Sequence, residues 1–346
     1  MNENNQNINP YSNYPQGEQQ ETPVYEEQPH RRKGLGIYWN IILFIFTFFS
    51  TTLAGVAWLN KDPYNLDNFQ LGLTYSILII FILSCHEFGH YFAAKIHKVK
   101  VTLPFFIPFP FLFLNPFGTM GAVIRMKSPS RTKKALFDIG IAGPIAGFIA
   151  SLGVLIWGMT HLPPFEHIYS IHPEYESTGV PLSGFSFGPT LLYWGLSKLL
   201  TSSPGVFLPP MNEMYHYPFL CVGWFGLLIT ALNLLPVGQL DGGHITYALL
   251  GNKHKFIARV FFGLTLAMGL LGLMQVLLFE FAGIEFLGNY GFLNWLIWAI
   301  LMFFVIRIEH PPIYDPEPLD LKRKFWGVFA LFMFVTSFTP VPFTGF

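Results

Sequence analysis

The chain has 346 residues, 52% hydrophobic and 12% charged, with Lys plus Arg and Asp plus Glu both at 20 and with 38 Phe. So apolar and weakly charged a composition excludes an ordinary soluble domain, and several stretches are long enough to cross a bilayer. Zero net charge gives no global attraction for nucleic acid, and only two cysteines, Cys85 and Cys221, both in apolar stretches, exclude a disulfide framework.

Residues 1–33 are rich in Asn, Gln, Glu, Pro and Tyr, have no apolar periodicity, and read as a disordered cytoplasmic tail. They lack the short basic start and apolar core of a cleavable signal peptide. His30-Arg31-Arg32-Lys33 precedes a first span at 37–59, and this basic cluster predicts a cytoplasmic amino-terminus. Span and turn together occupy 34–70.

The second span, 71–97, carries Ser84-Cys85-His86-Glu87-Phe88-Gly89-His90, an HExxH motif. On a helix, residues four apart share a face, so both imidazoles can reach one Zn²⁺ while Glu87 takes a proton from a metal-bound water. Two His and a Glu inside lipid are costly unless something satisfies them, which favours a functional reading. Cys85 points about 100° away from the His face and reads as packing.

Past the basic exit at Lys95, Lys98 and Lys100, residues 101–117 are apolar but hold Pro104, Pro108, Pro110 and Pro116. Four prolines predict a re-entrant or surface-lying loop rather than a helix. Residues 118–126 are β-prone and predict a hairpin or edge strand, which either holds an extended substrate by strand addition or is structural only. Arg125, Lys127, Arg131, Lys133 and Lys134 mark a cytoplasmic entry to a span at 135–159. Within it Gly143 and Gly147 form a small-residue face for helix packing, and Pro144 suggests a kink.

The connector 160–216 has one basic residue, Lys198, as expected of the outer side; its 191–200 stretch is amphipathic and fits an interface. His161, His167, His172 and His216 have no ligand spacing and read as ordinary loop histidines. A span at 218–236 ends in a break containing Pro236, Gly238, Asp241, Gly242 and Gly243. Freed backbone at that depth needs protein or a wet cavity around it. Asp241 is the best candidate third ligand, since a carboxylate with two imidazoles leaves a zinc position for water. Asn233 is a candidate for holding substrate backbone or the developing oxyanion. His244 either orients Asp241 or simply starts the next helix.

HEFGH at 86–90 together with NLLPVGQLDGGH at 233–244 resembles the site-2 protease family of intramembrane zinc metallopeptidases, peptidase family M50. The resemblance covers roughly 71–250 and is strongest toward plant chloroplast EGY-type proteases and bacterial relatives, with no PDZ-like insertion. It implies His86, His90 and Asp241 as ligands of one Zn²⁺ per chain, Glu87 as catalytic base, and Asn233 beside the substrate, in a three-helix core.

Residues 251–259 are basic, spans follow at 261–281, 293–306 and 325–338, and His310 lies in what reads as a solvated proline-rich loop. The expectation is an all-α polytopic membrane protein with about seven transmembrane helices, a metalloprotease core at 71–250 and further helices at 251–346. Its expected partners are the lipid bilayer and a transmembrane protein substrate, without nucleic acid, in a bacterial cell membrane. A metal-ion transporter or channel, or a non-catalytic scaffold, using the same His/Asp cluster is the alternative.

Overall fold

Away from water a backbone must satisfy its own polar groups, so apolar stretches of this chain become helices. The computed structural model describes residues 36–112, 115–128, 130, 132–181, 184–203, 206–283, 291–313, 315 and 317–345. The amino-terminal tail and Arg131 lie outside the described residues. Helix α1 (Ile37–Trp58) turns Tyr38, Trp39, Phe44 and Phe46 outward and buries Thr47, Ser50, Thr51 and Ala54. Buried hydroxyls bond within the helix, Thr51 to the Thr47 carbonyl and Thr52 to that of Phe48, both at 2.7 Å. The Thr51 hydroxyl also meets Ser76 of α2 (Leu73–Ile96) at 2.7 Å, which ties the first two helices together.

Strands β1 (Phe105–Pro108) and β2 (Thr119–Val123) pair antiparallel, with an irregularity between Phe106 and Pro108. The proline-rich stretch is therefore partly strand. Helix α3 (Lys133–Thr160) is capped by Thr132, whose hydroxyl accepts from the Ala135 N–H at 3.1 Å, and it runs through Pro144 without a break. The connector holds two short helices, α4 (His167–Ile171) and α5 (Tyr175–Thr178), strand β3 (Ser186–Phe187) and the surface helix α6 (Leu191–Leu200).

Helix α7 (Pro218–Asn233) starts with proline at its first turn and is buried nearly throughout, its Trp224 and Phe225 fully so. After the glycine-rich break comes α8 (Asp241–Leu250), a 3₁₀ turn at 251–253, and α9 (His254–Ala282). The basic stretch 251–259 is thus helical from His254 onward. Helix α10 (Asn294–Leu301) passes into a π-turn, Met302–Ile306. Helix α11 (Leu321–Ser337) precedes β4 (Phe343–Thr344), which pairs with β3.

Among the described residues, four helical stretches are long and apolar enough to cross a membrane: Ile37–Trp58, Leu66–Ile96, Lys133–Thr160 and Asp241–Ala282; Pro218–Asn233 and Asn294–Ile306 are shorter and apolar. Helix α3 is the most buried of the four and packs between α2 and α7. Small residues bring the pair α2 and α3 together: a Cβ on Gly89 would lie 2.5 Å from the Ala142 carbonyl oxygen, where no side chain fits.

Candidate metal centre

The four-residue spacing of α2 puts His86 above His90, and their Nε2 atoms lie 3.0 Å apart. Asp241, the first residue of α8, brings Oδ2 to 3.3 Å from both nitrogens. His86, Glu87 and His90 are each about 95% buried. The His90 Nδ1–H donates to the Ile139 carbonyl of α3 at 2.7 Å, which leaves its Nε2 lone pair turned toward Asp241. Three donor atoms thus converge on one buried point, and Glu87 follows His86 directly in the chain. The Ile124 backbone N–H, just past β2, is within reach of the Glu87 carboxylate.

Glycines of α3 make the room. A Cβ on Gly143 would sit 2.1 Å from His90 Nε2, and one on Gly147 would sit 3.1 Å from His86 Nδ1. The spacing reads from sequence as a helix-packing face; what enters the groove is the pair of imidazoles. The Asp241 turn is equally tight. Cβ atoms on Gly242 and Gly243 would fall 2.0 Å and 2.3 Å from the carbonyl oxygens of Leu234 and Gly238. Gly238 itself has φ +52° and donates its N–H to the Ile308 carbonyl at 2.9 Å.

That last bond draws the 307–313 loop over the turn, and it corrects the reading of His310 as solvated. His310 is 6% exposed, stacks on Tyr247 with ring centres 4.4 Å apart, and accepts from His244 Nδ1 at Nε2 over 2.8 Å. Its own Nδ1–H donates to the Pro311 carbonyl at 2.6 Å. Burial lowers the His310 imidazole to about 4. His244 is therefore held by His310, and no hydrogen bond joins it to Asp241 among the described residues. Asn233 closes α7 half-buried, with no side-chain hydrogen bond among the described residues. Cys85 is half-buried and Cys221 buried, both as free thiols.

Residues 74–275, which run from the start of α2 into α9, match the family model described as Peptidase family M50. The chain belongs to peptidase family M50. This M50 chain is 29% identical over 304 residues to the probable zinc metalloprotease EGY2, chloroplastic, of Arabidopsis thaliana, which covers 86% of this chain and 47% of that protein. It is 35% identical over 206 residues to the probable zinc metalloprotease EGY1, chloroplastic, of Oryza sativa subsp. japonica, covering 58% of this chain and 32% of that one. It is 28% identical over 264 residues to the probable zinc metallopeptidase EGY3, chloroplastic, of Arabidopsis thaliana, covering 74% and 41%. The chain spans about half the length, or less, of these curated relatives.

Proposed function

We propose that this M50 chain is a zinc metalloendopeptidase that hydrolyses peptide bonds within or near membrane-spanning segments of other proteins, as in regulated intramembrane proteolysis. The observation that carries the reading is the convergence of His86, His90 and Asp241 on one buried point beside Glu87. The zinc metalloprotease names of its relatives support it. The residues fit the metal: two imidazoles and a carboxylate are a common catalytic zinc set, and the Ile139 carbonyl fixes the His90 tautomer that such a ligand needs. His86, His90 and Asp241 would hold one Zn²⁺ per chain.

When bound, zinc supplies Lewis acidity, which acidifies water and polarises a peptide carbonyl. Glu87 takes the proton from the attacking water and returns it to the leaving amine. The amide of Asn233, whose side chain has no hydrogen bond among the described residues, holds substrate backbone or the developing oxyanion. Strand β2 has β1 as its partner on one edge, and an extended substrate would add to its other edge. A helical substrate must unwind first, because its carbonyls are engaged in i to i−4 bonds.

The chain crosses the membrane seven times, by α1, α2, α3, α7, α9, α10 and α11, with α2, α3 and α7 as the catalytic core. Lys95, Lys98, Lys133, Lys134, Lys253 and Lys255 then share one side with the amino-terminus, which the positive-inside rule makes cytoplasmic. Helix α7 is shorter than a lipid-spanning helix, but it is surrounded by protein and needs no lipid-matched length. The relatives are named as chloroplastic, and nothing in them points to a bacterial cell membrane.

The test is cleavage of a single-pass membrane substrate by the purified chain, with zinc content measured alongside. Glu87→Gln should retain zinc and lose about 10²-fold or more in rate, as expected for a lost general base. Asp241→Ala should lose both zinc and cleavage. A folded wild type that holds no zinc at His86 and His90 would sink the protease reading and favour an ion transporter.

A further inference from the structure

Two of the connector histidines, His172 and His216, do not behave as ordinary loop residues. Forty-four residues apart in sequence, His172 and His216 face each other with Nε2 atoms 2.8 Å apart. Glu213 lies in the same place, its Oε2 3.5 Å from His216 Nε2. The local fold sets this up. A 3₁₀ turn, Met214–His216, follows Glu213, and in such a turn side chains three apart eclipse one another, so Glu213 and His216 point the same way. His172 caps the end of α4 and stacks on Tyr175, with ring centres 4.5 Å apart.

The protonation pattern is decided by the outer nitrogens. His216 Nδ1 lies 2.9 Å from the Trp58 carbonyl at the end of α1, and His172 Nδ1 lies 2.9 Å from Glu174 Oε1. Both partners are acceptors, so both Nδ1 atoms carry hydrogen. With both rings neutral, bare lone pairs would face each other across 2.8 Å. The third group makes the conflict worse. Glu213 is 2% exposed, its Oε1 accepts from Tyr175 at 3.1 Å and from Asn212 at 3.4 Å, and its Oε2 has no hydrogen-bond donor among the described residues. Three lone pairs aimed at one buried point repel one another unless a cation lies between them.

We propose that His172, Glu213 and His216 form a second divalent-metal site, suited to Zn²⁺, at the end of α7 away from the first. Zinc bonds of about 2.0–2.2 Å in a tetrahedron separate ligand atoms by roughly 3.3–3.6 Å. The three ligand atoms all lie within 4.8 Å of one another; the 3.5 Å between Glu213 and His216 falls in that range, and the 2.8 Å between the two imidazoles would open to it around a bound ion. The outer partners are those that orient zinc-binding imidazoles elsewhere, a backbone carbonyl and a carboxylate. His216 lies two residues before α7 and Asp241 lies past its other end, so the 16 residues of α7 keep the two clusters roughly 24 Å apart. Metal here would fasten the connector to the ends of α1 and α7. It touches neither Glu87 nor Asn233, so its role is to hold structure rather than to catalyse.

Zinc is counted by inductively coupled plasma mass spectrometry in the detergent-purified full chain, equilibrated with Zn²⁺ and desalted, for wild type, H86A/H90A, H172A/E213Q and all four changes together. With one ion per intact triad, the expected contents are about two, one, one and none. Cobalt added to the zinc-free H86A/H90A protein should give visible ligand-field bands that H172A/E213Q removes. H86A/H90A protein that elutes as folded yet holds no zinc would overturn the proposal, and the two imidazoles would then share a proton. If that variant does not fold, H172A/E213Q decides: keeping the full wild-type count overturns the second site, and losing one ion supports it. Loss of zinc from the first site alone would count against the protease reading and leave this one standing.

Discussion

Gly143→Ala separates the folding role of α3 from its role at the proposed metal centre. The new methyl would sit 2.1 Å from His90 Nε2 and 2.4 Å from both adjoining ring carbons, where ordinary contact begins near 3.4 Å. The ring must therefore retreat by roughly 1.3 Å, several times the ±0.2 Å tolerance of a zinc–ligand distance. It cannot do so freely, because its other nitrogen is tied to the Ile139 carbonyl at 2.7 Å. The clash falls on a side-chain end and not on backbone, so α3 itself should persist, helped by the roughly 0.5–1 kcal/mol by which alanine outperforms glycine in a helix. The expected protein is folded, holds no zinc at this centre, and is slowed by at least the ~10²-fold that a 1 Å misplacement costs. Gly153→Ala, on the same helix with nothing within 4 Å of its Cβ, is the control and should keep zinc and activity. The assays are zinc content, cleavage rate and helicity by circular dichroism. Wild-type zinc and cleavage in a folded Gly143→Ala protein would refute the idea that these glycines exist to admit the imidazoles.

At Gly242 the same change meets a backbone carbonyl oxygen at 2.0 Å, which has nowhere to go, so Gly242→Ala should destabilise the chain by about 1–3 kcal/mol or more. Thermal unfolding in detergent would show it, and an unchanged midpoint would contradict the tight turn. His310 is held neutral by burial, with its folded pKa lowered from 6.5 to about 4. Between these values the unfolded chain binds the extra proton, so the contribution is complete above pH 6.5 and is lost as pH falls toward 4. His310→Asn should flatten that part of the profile of melting temperature against pH; an identical slope would discount the burial of this ring. Treatment with a zinc chelator should abolish cleavage, and added Zn²⁺ should restore it within the folded population.

Helix positions were readable because long apolar runs have few alternatives, and the spans expected at 37–59, 135–159 and 218–236 differ from α1, α3 and α7 by three residues or fewer at either end. The HExxH spacing declares itself in sequence because a helix converts i, i+4 into one face. Asp241 was legible through the oddity of an acid among glycines in an apolar stretch. What sequence hid was non-local. The approach of His310 to His244 depends on a loop that returns over Gly238, and the meeting of His172 with His216 depends on how the connector folds. Neither leaves a spacing to read. The Gly143 and Gly147 pattern was visible, but one pattern serves for a neighbouring helix and for a side chain alike.

The clasp over the Asp241 turn bears on how the protein is made. His244 is held by a residue 66 positions later in the chain, Gly238 donates to the carbonyl of Ile308, and the Asp315 carboxylate accepts from the first N–H of α3, that of Lys133, at 2.7 Å. A nascent chain made as far as α9 has His86, Glu87, His90 and Asp241 but not the segment that clasps the Asp241 turn. The Asp241 turn would thus become rigid only once the 307–315 segment had followed it into place.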